Sequence, residues 1–403
     1  MRVVYCHDNE YIFSAGGAVY AAGQFASSYW DTYLKYFDDL EVLGRKKEGV
    51  PEDAASLNRS DAPHVSISGL PNMNSPVGML QNSLYVKKRV EEAVQRADAV
   101  IIRTMSEIGW LAYQAARKYN KPFAMEMAGC PWDNMWHHGS LIARAYAPLR
   151  YHRARLATGH ADAVIYVTNE FLQSRYPAAG ILASASNVRI HEVPTEILEK
   201  RKARITSMFA HKKTINIGLI GALHNKLKGI QIALRALAQW HKETGTLFRL
   251  NLLGPGHIDQ IMQDIQENGL EGFVVHEGLL PSGEPVQRWL DQIDVYLQPS
   301  FHEGLPRAVI EAMSRGCPVL ASTTGGIPEL LPLEWLHKPG DVDKLAQTLK
   351  ALLYSEAMMQ KHAAQNYMKA RDYTADKLEP VRNNFWSQFA RYVEERNANQ
   401  DLR

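Results

Sequence analysis

Two carboxylates, Glu303 and Glu311, stand eight positions apart in the stretch PSFHEGLPRAVIEAMSRGCPVLASTTGGIPEL, with Gly304 and Pro306 close behind the first. Such a pair can hold hydroxyl groups at opposite ends of a nucleotide diphosphate sugar. Pro306 suits the first helical position, because its fixed φ fits the first turn and its missing N–H would be unpaired there anyway. The free amides around Gly304, Leu305 and Arg307 then point out of a helix N-terminus, where the dipole and unpaired donors favour an anion. Gly304 lets that anion approach the backbone closely. At about 1.5 Å of rise per residue, Glu311 falls roughly 7 Å along the axis from the helix start. Taken singly, Glu303 also fits as a charge offsetting the helix dipole and Glu311 as a solvated side chain. The combination points to chemistry.

These residues need a scaffold, and the chain supplies one by alternation. Apolar runs at residues 3–6, 64–68, 99–103, 122–127 and 163–168 alternate with helical patterns at 86–96, 108–118 and 141–156. The pattern restarts with strands at 215–220, 248–253, 273–276, 295–297 and 317–321, each followed by a turn. Strands alternating with helices over such lengths predict parallel sheets covered on both faces, with ligands at the carboxyl edges. Gly221 opens the loop after the 215–220 strand, and Lys226 and Lys228 lie in it. Lysines there either meet a ligand or are solvated. In the first half, a helix is expected from Gly16 and Gly17, which allow either close approach of a phosphate or sugar or a plain tight turn. The dinucleotide fingerprint G-x-G-x-x-G is absent. Residues 45–61 read as an exposed loop and 194–204 as a charged linker.

At 403 residues the chain predicts two or three domains, and 46% hydrophobic with 22% charged residues fits a folded globular protein. A formal net charge of +2 leaves no bulk footprint for nucleic acid. Cys6, Cys130 and Cys317, far apart and beside apolar segments, read as reduced, buried thiols. No Cys/His cluster suggests zinc, Asp341 reads as a helix N-cap rather than a metal ligand, and no metal or cofactor is expected. The N-terminus lacks a secretory pattern, and no run reaches the roughly 20 apolar residues of a membrane span. A cytoplasmic protein follows, at most peripheral on a membrane. The helix at 141–156 carries Arg144, Arg150 and Arg153 among apolar residues, and fits either an anionic lipid surface or a core-packed helix with solvated arginines. Asp133, His137 and His138 precede it and can line the acceptor side of a cleft.

Several of these residues carry a family resemblance. Glu303, Glu311-Ala312-Met313, Gly316, Pro318-Val319, Ala321-Ser322 and Gly325-Gly326-Ile327-Pro328-Glu329 resemble the E-x7-E, EAMxxGxPVxAS and GGxPE motifs of the retaining GT-B glycosyltransferases of family 4. The likeness is loose in the first half. It implies an α/β protein of two facing Rossmann-like domains, 1–198 on the acceptor side and 205–372 on the donor side, with helices at 373–403 crossing back to the first domain. A nucleotide sugar donor would lie in the interdomain cleft and a glycan or lipid-linked acceptor would receive the sugar. Glu311 would hold the ribose hydroxyls, Glu303 would lie by the transferred sugar, and Lys228 would meet the diphosphate. The amides from Gly304 to Arg307 would hold sugar or phosphate, with Gly16 and Gly17 facing them.

Two departures from the family pattern stand out. Ala222 occupies the place of the family's arginine, leaving Lys226 or Arg307 to balance the diphosphate. The family's first-domain histidine has no clear counterpart, so His137 or His138 is the stand-in. A nucleotide-sugar-binding protein without transfer activity and a sugar-nucleotide epimerase are the competing readings.

Overall fold

The computed structural model describes residues 1–401 apart from residues 22, 24, 48–56, 192 and 212–213. The interior strands are the apolar runs, buried on both faces as helix-covered parallel strands must be. Among the described residues the first unit forms a nine-stranded sheet. Its strands are β1 (Arg2–Phe13), β2 (Val19–Ala21), β3 (Asp39–Lys47), β4 (Asn58–Arg59), β5 (Val65–Leu70), β6 (Ala99–Arg103), β7 (Phe123–Met127), β8 (Ala163–Tyr166) and β9 (Ile181–Ser184). The parallel members run β5-β3-β1-β6-β7-β8-β9, while β2 and β4 add an antiparallel flap on the end of β1. Helices α1 (Asp31–Leu34), α2 (Pro76–Arg96), α3 (Glu107–Lys118), α4 (Pro131–Trp136), α5 (Leu141–His160) and α6 (Phe171–Arg175) complete this unit.

The second unit holds β10 (Ile215–Ile220), β11 (Phe248–Leu253), β12 (Val274–His276), β13 (Val295–Gln298), β14 (Val319–Ser322) and β15 (Leu336–His337). All pair in parallel, in the order β12-β11-β10-β13-β14-β15. The order reverses at β10, so the crevice between the loops after β10 and β13 is where such a sheet binds ligands. Helices α7 (Thr195–His211), α8 (Ile230–Thr244), α9 (Met262–Glu267), α10 (Glu284–Asp291), α11 (Arg307–Ser314), α12 (Val342–Tyr354) and α13 (Glu356–Ala370) belong here, and α14 (Ala375–Asp401) ends the described chain. Asp341 caps α12, its carboxylate accepting from the Lys344 amide at 3.0 Å.

Helix α14 crosses back onto the first unit. Trp386 packs edge-on against Tyr33 at 5.1 Å and Phe389 against Phe37 at 6.2 Å. Further along, Arg396 pairs with Asp162 and donates to Asn120.

Four local expectations change. No helix begins at Gly16 and Gly17: β1 runs on to Phe13, and a turn with Gly17 at φ 85° returns it into β2. The physical reason is pairing, because Tyr11, Ile12 and Phe13 find partners in Ala21, Tyr20 and Val19. Residues 194–204 are largely helix α7 rather than linker, because buried Arg201 donates to the carbonyls of Leu290, Ile293 and Arg315, satisfying the ends of α10 and α11. Pro306 is the N-cap of α11, extended at ψ 115°, and the helix starts at Arg307. The exposed loop read at 45–61 is partly strand, in β3 and β4, and residues 48–56 of it lie outside the described residues.

Candidate functional site

The loop from β13 to α11 carries Glu303 at the point where the two units touch. One carboxylate oxygen, Oε1, accepts from Lys228 Nζ at 2.8 Å, Gln298 Nε2 at 2.9 Å and Ser300 Oγ at 2.7 Å. The other has no partner among the described residues. Burial alone would raise this carboxyl, but Lys228 and Ser300 outweigh it and hold Glu303 below the ordinary glutamate value. Lys228 reaches Glu303 from the loop after β10 by lying across Gly221, where a Cβ would stand 2.9 Å from the lysine Cγ. The crevice predicted by strand order thus holds this ion pair.

Glycines press the loop into place. A Cβ on Gly304 would fall 2.1 Å from the Ala128 carbonyl oxygen of the first unit, and one on Gly325 would fall 2.4 Å from the Glu303 carbonyl oxygen. Either side chain is excluded. The hydroxyls of Ser322 and Thr324 both donate to the Ser300 carbonyl, at 2.6 and 2.8 Å. The motif residues from Ser322 to Gly326 therefore act as the back wall of the Glu303 loop.

Further along α11, Arg307 and Glu311 line a cleft of about 1400 Å³ between the units. Burial raises the Glu311 carboxyl above its ordinary value, and Arg307 opposes the shift. The second-unit wall continues through Gly254, Pro255, Gly256, Gly278 and Gly283, all loops at the carboxyl edge of the sheet. Facing it are Tyr29, Tyr33, Glu126, Arg189, Arg382 and Trp386. Glu126 is spoken for: it accepts from Tyr33 at 2.6 Å, Arg103 at 2.7 Å and Tyr5 at 3.1 Å.

The structure brings Lys228 and Glu303 together between the loops after β10 and β13, with Lys228 against Gly221; of the predicted residues from Gly304 to Glu311, Arg307 and Glu311 line the large cleft, whereas Glu303, Gly304, Leu305, Pro306, Lys228 and Gly221 lie behind its wall. Of the two candidates to balance the diphosphate, Arg307 lines the cleft, whereas Lys226 is exposed on a short turn and does not. Gly16 and Gly17 sit at an exposed hairpin tip and do not line the cleft. Of the two histidines it is His137 that meets the second unit, its ring 5.8 Å from Phe301, while His138 is exposed and outside the cleft. Arg150 and Arg153 are not a free basic face, since both pair with Glu107 at 3.0 Å. Arg144 donates to the Trp136 carbonyl. The large apolar side chains that α5 exposes are Leu141, Ile142, Leu149 and Leu156, with Arg144 and Arg155 also exposed.

Sequence reasoning missed the roles of four residues. Gln298 and Ser300 orient Glu303, and their position ending β13 was the only signal. His302 packs against Gly129 of the first unit, and burial, only partly offset by Glu303 and Asp133, lowers its pKa. Glu329, the last residue of the GGIPE motif, accepts from the backbone amides of Asn169, Glu170 and Phe171, capping α6 across the seam. Nothing in one-dimensional spacing announces that contact. Among the described residues no group of three or more His, Cys, Asp or Glu side chains is arranged to hold a metal ion, and no helix is long and apolar enough to cross a membrane.

Comparison with known proteins agrees with this geometry. Residues 214–355 match the family described as glycosyl transferases group 1. Protein CapJ of Staphylococcus aureus is 27% identical over 357 residues, 88% of each chain. The amylovoran biosynthesis glycosyltransferase AmsK of Erwinia amylovora is 33% identical over 39% of this chain and 43% of its own. Among solved structures, Anabaena Alr3699/HepE in complex with UDP superposes with a TM-score of 0.60 at 16% identity, covering 99% of this chain and 100% of that one. Residues 214–355 thus match the glycosyl transferases group 1 family, and the chain as a whole shares the two-unit GT-B scaffold.

Proposed function

We propose that the protein is a retaining glycosyltransferase that moves a sugar from a nucleotide diphosphate sugar to a glycan or lipid-linked acceptor in surface polysaccharide or glycolipid synthesis. The observation that carries the reading is Glu303, ionised, held on one oxygen by Lys228, Gln298 and Ser300, with its second oxygen unclaimed. That oxygen is left to accept from a hydroxyl of the transferred sugar. Glu311, one turn and more along the same helix, accepts from the ribose hydroxyls. Lys228 and the amides at the start of α11 supply positive charge to the leaving diphosphate, so the charge that develops in the transition state meets preoriented dipoles. The leaving phosphate oxygen takes the acceptor proton on the same face of the sugar, which retains the configuration. Metal is not needed for charge balance in this scheme. The part in polysaccharide synthesis is supported by relatives such as AmsK, named for amylovoran biosynthesis.

The test is a donor screen, starting with UDP-sugars, followed by assignment of the product anomer by NMR. Retention, turnover in excess chelator, and loss of turnover in Glu303→Gln are expected. An inverted product, or a strict divalent-metal requirement, would refute the mechanism.

Access for a lipid-linked acceptor is supported by exposed apolar side chains at the start of α2 (Val77, Leu80, Leu84) and α5 (Leu141, Ile142). We assign these, rather than the arginines of α5, to peripheral contact with a membrane. Flotation with anionic vesicles checks this assignment: Leu141→Ser with Ile142→Ser should reduce binding, and unchanged flotation removes it.

A further inference from the structure

The first-unit wall of the cleft carries two guanidinium groups that the transfer mechanism does not use. Arg189 follows β9 and is exposed, Arg382 projects from α14 and is half-buried, and both line the cleft shared with Arg307 and Glu311. Arg382 is fixed by donating to the carbonyl of Ser186, just before the Arg189 segment. Among the described residues neither arginine makes an ion pair with a carboxylate. Glu126, the acid of this wall, is already bound by Arg103, Tyr33 and Tyr5. Burial lowers the Arg382 pKa, and the neighbouring charge of Arg189 lowers it further.

Like charges brought together in a partly dehydrated wall repel, and the arrangement becomes favourable when an anion sits between them. Planar guanidinium forks match the paired oxygens of phosphate and carboxylate. The donor diphosphate has its own partners on the opposite unit, in Lys228 and the amides opening α11. Asn187 and His191 flank Arg189 on the same wall and add polar contacts for a sugar.

We propose that Arg189 and Arg382 form an anion-recognition subsite for the acceptor, which therefore carries a phosphate or carboxylate close to the hydroxyl that receives the sugar. This rests on the glycosyltransferase reading and narrows its acceptor class. The experiment compares three acceptors of similar size: a polyprenyl-diphosphate-linked saccharide, a glycan ending in a uronic acid, and a neutral glycan. One anionic arm should exceed the neutral one at least tenfold in kcat/KM, and which arm does so identifies the source of the anion. Arg189→Gln and Arg382→Gln should each raise the acceptor KM tenfold or more. Nucleotide diphosphate Kd and acceptor-free donor hydrolysis should stay within twofold of the unsubstituted protein, and Arg189→Lys should recover part of the loss. Arg189 is exposed, so its variant keeps the test valid if Arg382→Gln does not fold. Equal use of the neutral glycan, or a loss of nucleotide affinity in the glutamine variants, would overturn the subsite. If the unsubstituted protein binds no nucleotide diphosphate and uses no donor, it is the glycosyltransferase reading that fails.

Discussion

The second-unit wall of the cleft is rich in glycine and turn backbone (Gly254, Gly256, Gly278, Gly283), with a few charged side chains from two helices, Glu284, Arg307 and Glu311. The first-unit wall is mostly large side chains, Tyr29, Tyr33, Arg189, Arg382 and Trp386, gathered from four segments including the far end of the chain. In the proposed reaction the difference tracks what each wall would hold. A diphosphate is served by amides and close backbone approach, which glycines at strand ends permit. An acceptor is recognised by the shape and charge of side chains, so its wall is assembled from wherever the fold brings them.

The comparison can be broken most forcefully at Trp386. This residue is 1% exposed and anchors α14 on Tyr33. Trp386→Ala should destabilise the chain by about 3–5 kcal/mol and open the first wall. Thermal unfolding reads the loss. Nucleotide binding at temperatures where the variant is folded should be unchanged, and a variant that loses nucleotide affinity would show that the walls are not independent.

Next comes Glu303→Gln, which removes a charge held by Lys228. Turnover should fall about 100-fold, the scale of losing one preoriented electrostatic partner, with nucleotide Kd nearly kept. Steady-state kinetics beside calorimetric nucleotide titration separates the two.

Glu311→Ala should do the reverse, weakening nucleotide binding by about 2 kcal/mol, roughly 30-fold, as charge-assisted hydrogen bonds to hydroxyls are lost. Its pH signature follows from burial. The Glu311 carboxyl titrates above the ordinary glutamate value, so nucleotide affinity should be full above that raised midpoint and decline as pH falls through it. Glu303, shifted the other way, stays ionised over the same interval. A Kd profile as flat in the unsubstituted protein as in Glu311→Gln would remove Glu311 from the ribose.

The smallest effect expected is at Glu329, whose carboxylate caps α6 across the seam. Glu329→Ala should cost about 1 kcal/mol, the usual worth of a helix cap. Hydrogen exchange should speed up at the amides of Asn169, Glu170 and Phe171 while the amides of β13 stay protected. Unchanged protection at the three amides would mean the seam does not depend on this contact.

Much of the second wall was legible in the linear chain because its parts are neighbours in sequence. Glu303, Gly304 and Glu311 lie within one loop and helix, and strands 215–220 and 248–253 were placed to the residue because short, mainly apolar runs bounded by polar turns have few other solutions. The errors fell where the deciding partner, close in sequence or far, leaves no mark in the local pattern. A glycine pair after an apolar run signals strand–turn–helix as readily as strand–turn–strand, and only β2 finding β1 decided for the hairpin. Charged residues 194–204 looked solvated because the carbonyls that bury Arg201 lie some ninety residues or more away, at Leu290, Ile293 and Arg315.

By itself the sequence picked out the residues proposed for the donor side: two glutamates eight positions apart, a lysine loop one strand away, and glycines where backbone can meet an anion. Those features depend on local propensity and on a strand order that parallel sheets impose. Only the tertiary structure decided that Lys228 neutralises Glu303, that Glu329 staples the units, and that His137 rather than His138 meets the second unit. Each of these is a contact between residues far apart in the chain. Its free energy depends on burial and on partners that no local pattern encodes.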